Sequence, residues 1–189
     1  MLRILTFSRE MDSQQPAVFP LRAPVEEALV LLREIMPTNI EIVLAAPDEA
    51  MPVLGDASLV HQVVINLCTN AYEAMRSSGG KLIVRLSAAQ PPPDSQLPPG
   101  RYHLLEVSDT GHGMEPAVLA HIFEPFFTTR EVGAGTGLGL SVVHGIVTSM
   151  GGAITVRSRP GSGTTFAVYL AAAAAVPTRQ PASGARAEA

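Results

Sequence analysis

The chain has 189 residues, 47% of them hydrophobic, and a formal net charge of −4, so it suits one globular domain with a real core and lacks the basic footprint of a nucleic-acid binder. A single cysteine, Cys68, excludes an internal disulfide and fits a reducing compartment. No apolar run reaches the length of a membrane span and the N-terminus lacks a signal-peptide core, so a soluble, cytoplasmic chain is expected.

Met1 to Arg9 (MLRILTFSR) places Leu2, Leu5 and Phe7 on an apolar side and reads as the last turns of a helix. Residues 10–20 are polar, contain two prolines and read as a linker. In VEEALVLLREIM, Val25, Ala28, Leu29 and Leu32 form one stripe, which predicts a helix stopped by Pro37. NIEIVL alternates Ile40, Ile42 and Leu44 as a strand, and a short strand is expected at Pro52 to Leu54. Asp56 is the expected N-cap of a long helix from Ala57 to about Met75, ended by SSGG.

Lys81 to Ala88 (KLIVRLSA) and Arg101 to Asp109 (RYHLLEVSD) read as two strands joined by a proline-rich loop. A short helix is expected near Pro116 to Ile122, and a longer one from Leu138 to Met150. AITVRS and TTFAVYL then read as a hairpin across RPGSG. From Ala171 to Ala189 the chain is Ala, Pro, Ser and Arg without periodicity, which predicts a disordered tail. Helices bunched between strands that mostly return antiparallel predict an α+β fold. The architecture expected is a two-layer α/β sandwich, its mixed, mostly antiparallel sheet carrying helices on one face.

Four stretches invite a chemical reading. GAGTGLGLSVVHGIV sets Gly133, Gly135, Gly137 and Gly139 at alternate positions directly before a helix. Such glycines cost backbone entropy, and a loop whose N–H groups and following helix N-terminus hold an anion would explain them. The loop has neither the Gly-Lys-Ser/Thr ending of a Walker loop nor the spacing of a dinucleotide fingerprint. On the helix 57–75, Gln62, Asn66, Asn70 and Glu73 share one stripe opposite an apolar face made by Val60, Val64, Leu67, Cys68, Ala71 and Met75. A solvated polar face explains that stripe by itself; neutral amide oxygens also suit Mg²⁺ when phosphates supply the charge.

VSDTGHGM ends a strand at Asp109 and turns through Gly111 and Gly113. It reads either as an Asp-capped turn or as a carboxylate that accepts from an exocyclic amine, with glycines allowing close approach to a flat ring. FEPFFTTR sets three phenylalanines beside Thr128, Thr129 and Arg130, either as a core-anchored loop or as a hinge with phosphate-reaching side chains.

In this order the pieces resemble the ATP-binding domain of bacterial sensor histidine kinases, within the Bergerat-type superfamily of gyrase, heat-shock chaperone and mismatch-repair ATPases. INLCTNAYEAM is similar to its N box, DTGHGM to the first glycine box, FEPFFTTR to the F box, GAGTGLGLS to the second glycine box and GSGTTF to the last glycine-rich element. The resemblance covers roughly Pro20 to Leu170. It implies ATP held by Asn66, Asn70, Asp109, Gly111, Gly113, Thr128, Thr129, Arg130, Gly135, Thr136, Gly137, Leu138, Gly139, Leu140 and Thr164. Asn66 and Asn70 would be the catalytic pair, with Mg²⁺ on Asn70. Asp109 would read adenine, Thr164 would support that contact through water, and the glycine loop would be a mobile lid.

The resemblance also implies an organisation. Residues 1–19 would be the end of a dimerisation and phosphoacceptor helix plus linker, 20–170 the catalytic domain, and 171–189 a tail suited to linking a receiver domain. The partners implied are an upstream helical hairpin bearing the acceptor histidine and a response-regulator receiver domain, with no nucleic acid and no direct membrane contact. The whole could belong to a membrane-anchored sensor.

Where the superfamily's ATPases carry a water-activating glutamate, four residues before the Mg²⁺ asparagine, this chain has Asn66. An amide takes no proton from water near neutral pH, which disfavours hydrolysis and leaves phosphoryl transfer to an outside nucleophile. Glu73 stands where many relatives are basic, and Arg130 where lysine is common. His61, His103, His112, His121 and His144 lie in no acceptor-like helix and read as structural or lid-associated. Two competitors remain at this stage: a serine kinase of the anti-sigma type, and a nucleotide-gated binding module that transfers nothing.

Overall fold

In the chain's computed structural model the described residues are 16–92, 95, 97–129 and 136–174. They form β1 (Ala17–Pro20), α1 (Arg22–Ile35), β2 (Ile40–Ala45), β3 (Pro52–Gly55), α2 (Ala57–Met75), β4 (Gly80–Ala89), β5 (Tyr102–Asp109), α3 (Pro116–Leu119), α4 (Gly139–Ser149), β6 (Ala153–Ser158) and β7 (Thr164–Ala171). A five-stranded sheet runs β2-β4-β5-β7-β6, and β1 pairs with β3 in a separate two-stranded ribbon. Only β2–β4 is parallel in the larger sheet; the other three pairings are antiparallel. This is the expected mixed, mostly antiparallel sheet.

Alternation along the strands explains the two layers. Leu82, Val84 and Leu86 of β4 pair with Asp109, Val107 and Leu105 of β5, and Phe166, Val168 and Leu170 of β7 continue the same face. The apolar members of this set are buried beneath the face of α2 made by Val60, Val64, Leu67, Cys68, Ala71 and Met75. α1 packs on α2, and α4 packs between α2 and β6. Burial pushes the Cys68 thiol up to about 12, so it stays protonated as a small core hydrophobe. The opposite face of the sheet mixes apolar residues such as Val43, Ile83 and Leu104 with charged ones, among them Lys81 and Glu41, paired at 3.2 Å across β4 and β2.

Two expectations about the ends need correction. Residues 17–20 of the expected linker form β1, because Ala17, Val18 and Phe19 are apolar and Phe19 packs against the core opposite Val53. The expected tail begins inside β7: Ala171 closes that strand, Ala172 bridges to Val53, and the Ala173 N–H donates to the Pro52 carbonyl at 2.8 Å. Unpatterned alanines thus spend their backbone groups on β3. Met1 to Arg9 and the chain beyond residue 174 lie outside the described residues. Among the described residues no helix is long and apolar enough to cross a membrane.

His103 on β5 sits near the place where β3 and the end of β7 meet, and among the described residues neither ring nitrogen makes a well-formed hydrogen bond, the Pro52 carbonyl being the acceptor that acts on it. Burial, with help from the charge of Arg101 and only partly offset by the Pro52 carbonyl, holds the imidazole below its ordinary value. The unfolded chain therefore binds a proton that the folded chain resists, and stability falls as pH drops below about 6.5, the ordinary histidine value. His103→Leu should flatten the urea midpoint across that window; a midpoint that keeps its slope would count against the assignment.

Candidate functional site

The long helix α2 is set in place at its start by Asp56, whose Oδ1 accepts from the Ser58 N–H at 2.8 Å and the Ser58 hydroxyl at 2.7 Å. Its outer stripe carries Asn66 and Asn70, both half-buried, and neither amide has a hydrogen-bond partner among the described residues. Gln62 is exposed, and Glu73 lies 3.8 Å from Arg76. The first residue of α4 lies beside Asn70: a Cβ at Gly139 would stand 3.9 Å from the Asn70 Nδ2. Thr136 Oγ1 approaches the Leu138 N–H at 3.4 Å, and the Ser141 hydroxyl donates to the Leu138 carbonyl at 2.9 Å. The N-terminus of α4 thus lies beside the Asn70 amide, a setting suited to phosphate.

Asp109 ends β5 at the same end of the sheet. It is only 8% exposed, and its Oδ1 accepts from the Gly111 N–H at 2.8 Å and the Thr164 N–H at 3.3 Å. Oδ2 has no partner among the described residues and is the oxygen left for a ligand. Burial raises the Asp109 carboxyl above its ordinary value; the N–H groups of Gly111 and Thr164 and the charge of His112 oppose this. The turn after Asp109 is fastened to α2, since the His112 N–H donates to the Ala74 carbonyl at 3.2 Å.

Two glycines make this corner possible. At Gly163 (φ +78°) an added Cβ would collide with the Asp109 carbonyl, and at Gly113 (φ +67°) with the Arg159 carbonyl. Gly163→Ala should therefore cost roughly 2–4 kcal/mol of stability through strain and overlap together. Urea denaturation checks this, and a loss near zero would mean the corner is looser than these contacts imply.

The phenylalanine-rich stretch is not a simple core anchor. Phe123 is half-buried against the His144 ring of α4 at 5.3 Å, whereas Phe126 is 73% exposed. Phe126 has φ +65°, alone among the described non-glycine residues, and its N–H donates to the Gly137 carbonyl at 3.0 Å. This bond brings the two sides of the glycine loop together. Thr128, Thr129 and Thr136 are exposed, while Gly137 and Leu140 are half-buried and Leu138 is 38% exposed. Arg130, Gly133 and Gly135 lie outside the described residues.

The sequence-derived site is therefore gathered from three directions: α2 brings Asn66 and Asn70, the end of β5 brings Asp109, Gly111 and Gly113, and β7 brings Thr164. Two residues escaped the sequence reading. Thr110 Oγ1 accepts from the Lys81 N–H at 2.9 Å and so ties the Asp109 turn to the start of β4. Ser158, at the end of β6, bonds to three groups around that turn. Neither carries a spacing signal for this role, because Lys81 lies 29 positions from Thr110 and Met114 lies 44 from Ser158.

The pattern of histidine kinase-, DNA gyrase B- and HSP90-like ATPases matches residues 55–174. Sensor kinase CckA of Brucella abortus is 40% identical over 174 residues, 89% of this chain but 18% of that protein. The catalytic domain of histidine kinase ThkA, in a nucleotide-free form, superposes with a TM-score of 0.68 at 28% identity, covering 84% of this chain and 97% of that one. Full-length ShkA, solved in complex with AMPPNP, gives the same TM-score of 0.68 at 28% identity over 85% of this chain and 32% of its own length. The chain thus spans under a fifth of the CckA relative and nearly all of an isolated catalytic domain. It belongs to the histidine kinase-, DNA gyrase B- and HSP90-like ATPase family, as an ATP-binding catalytic domain of the sensor histidine kinase type.

Proposed function

We propose that this chain binds Mg²⁺–ATP between α2, the Asp109 turn and the start of α4, and presents the γ-phosphate to a histidine on a separate helical-hairpin domain. The observation that carries the reading is the amide pair on α2. Asn66 and Asn70 stand half-buried and without a hydrogen-bond partner among the described residues, Asn70 beside the first residue of α4, and Asn66 stands where a superfamily ATPase has its water-activating carboxylate. Asp109 Oδ2 accepts from the adenine amine, and Thr164 supports it through its N–H on Oδ1.

The unpaired amide oxygens fit Mg²⁺. Among the described residues no cluster of three His, Cys, Asp or Glu side chains forms, so the ion would rest on Asn70 and take phosphate oxygens and water as its other ligands. It would supply neutralisation of phosphate charge. The chain's own groups do the rest: Asn66 stands beside the metal ligand without taking a proton from water, the N–H groups of α4 favour the phosphates electrostatically, and Asp109 fixes the base. Thr128, Thr129, Thr136, Leu138, Gly139 and Leu140 complete the phosphate side, with Arg130 and Gly135 as further contacts.

The nucleophile comes from elsewhere in this reading. The chain before β1 joins the domain to that hairpin, and a response-regulator receiver domain takes the phosphate onward. The setting is the cytoplasm, in a soluble or a membrane-anchored sensor.

The test begins with calorimetry of the 189-residue chain and ATP, with and without Mg²⁺. Binding that strengthens with Mg²⁺ is expected, and a folded chain that binds no nucleotide would end the reading. The chain alone should label itself negligibly with ATP and hydrolyse it slowly. Adding the hairpin domain, in trans or fused before Met1, should yield an acid-labile, base-stable phosphohistidine. Phosphate on serine would move the chain to the anti-sigma type of kinase, no transfer at all would leave a binding module, and fast hydrolysis alone would overturn the argument from Asn66.

A further inference from the structure

Ser158 closes β6 directly opposite Thr164, the first residue of β7. Its hydroxyl lies 2.8 Å from the Met114 N–H, 2.9 Å from the Gly163 carbonyl and 2.9 Å from Thr164 Oγ1. A serine hydroxyl has one proton and two lone pairs. The Met114 N–H can only donate and the Gly163 carbonyl can only accept, so the proton goes to Gly163 and one lone pair to Met114. The remaining lone pair takes the Thr164 hydroxyl proton. All three capacities of Ser158 are used.

These partners come from the two turns that frame Asp109. Met114 ends the Gly111–Gly113 turn, and Gly163 and Thr164 end the β6–β7 turn. The turns also meet where the Gly161 N–H donates to the His112 carbonyl at 2.7 Å. Ser158 joins them through its hydroxyl, alongside the Asp109 carboxylate, which accepts from both. Thr164, held by its hydroxyl, in turn aims its N–H at Asp109 Oδ1, the longer of the two bonds that orient this carboxylate. A slackened Thr164 leaves Asp109 fixed by Gly111 alone and free to swing Oδ2 off the base edge.

We infer that Ser158 is a positioning residue for base recognition: it joins the Met114 and Thr164 turns so that Asp109 presents Oδ2 at one fixed place. This rests on the reading of Asp109 as the adenine-binding carboxylate. Base discrimination depends on that placement, because a purine with a 6-amino group donates to Oδ2 while a 6-oxo purine meets it acceptor against acceptor.

The test is calorimetry of ADP and GDP on the wild-type chain and on Ser158→Ala, Ser158→Cys and Ser158→Thr, each below its unfolding temperature. The wild type should prefer ADP. Ser158→Ala should lose about tenfold of that preference, chiefly through weaker ADP binding, and Ser158→Thr, which keeps the hydroxyl, should retain most of it. Ser158→Cys fills the same space with a weak hydrogen-bonding group and should behave like Ala, which preserves the test if the Ala variant does not fold. An Ala or Cys variant that weakens ADP and GDP by the same factor, or changes neither, would overturn the assignment while leaving Asp109 in its role. A folded wild type that binds neither nucleotide would instead overturn the reading of Asp109.

Discussion

Asp109→Asn should weaken ATP binding by roughly 1–3 kcal/mol, about 5- to 150-fold in Kd, and should leave the nucleotide-free domain no less stable. The amide oxygen can keep the place of Oδ1 and accept from Gly111 and Thr164 as before. The amide nitrogen then stands where Oδ2 meets the base, and a donor faces the adenine amine. Stability moves the other way for an electrostatic reason. Burial, the largest cause, holds the folded carboxyl above its unfolded value, so the folded state keeps its proton to higher pH. The apo domain is favoured at pH below the ordinary carboxylate range and loses that advantage as pH rises through the Asp109 value. At neutral pH the buried charge is a cost that Asn removes.

The same shift gives ATP affinity a pH dependence. Binding should weaken as pH falls through the raised Asp109 value, beginning at a higher pH than an unperturbed aspartate would give, and Asp109→Asn should abolish this slope. Calorimetry across the acidic range, beside urea midpoints of both proteins, separates the effects. A variant that loses stability and affinity together would mean that Asp109 is a structural cap rather than a ligand contact.

Asn70→Ala should remove phosphoryl transfer to the hairpin histidine by at least about a hundredfold while the protein still folds. Asn70 is half-buried on the outer stripe of α2 and makes no hydrogen bond among the described residues, so truncation breaks no packing and leaves no buried partner unpaired. Alanine is also the better helix former. What disappears is the side-chain amide beside the start of α4, and with it the Mg²⁺-dependent part of ATP affinity. ADP measured without Mg²⁺ should change little, since base recognition resides at Asp109. Full phosphohistidine formation by Asn70→Ala would remove Asn70 from the catalytic machinery.

The local elements were legible in the residues themselves. Asp56 followed by a run with one apolar stripe set α2 at Ala57–Met75, the bounds found in the structure. Helix capping and periodicity act within a few residues, so spacing alone reports them. The same holds for the β6–β7 hairpin, whose glycine-rich turn and flanking alternation are contiguous. Asn66, Asn70 and Asp109 stood out because an amide pair inside a helix and an Asp beside glycines are locally expensive choices.

What only the tertiary structure decided is how those pieces satisfy one another. Thr164 lies 55 positions from Asp109 and Ser158 lies 44 from Met114, and no local pattern records either bond. They exist because the order β2-β4-β5-β7-β6 sets β7 between β5 and β6, so the ends of three strands converge on one corner. β1 and the alanines after β7 escaped for the same reason. β1 is a short stretch in a polar, proline-marked segment and the alanines carry no alternation, so both become ordered through backbone bonds to β3, a partner that folding alone brings alongside.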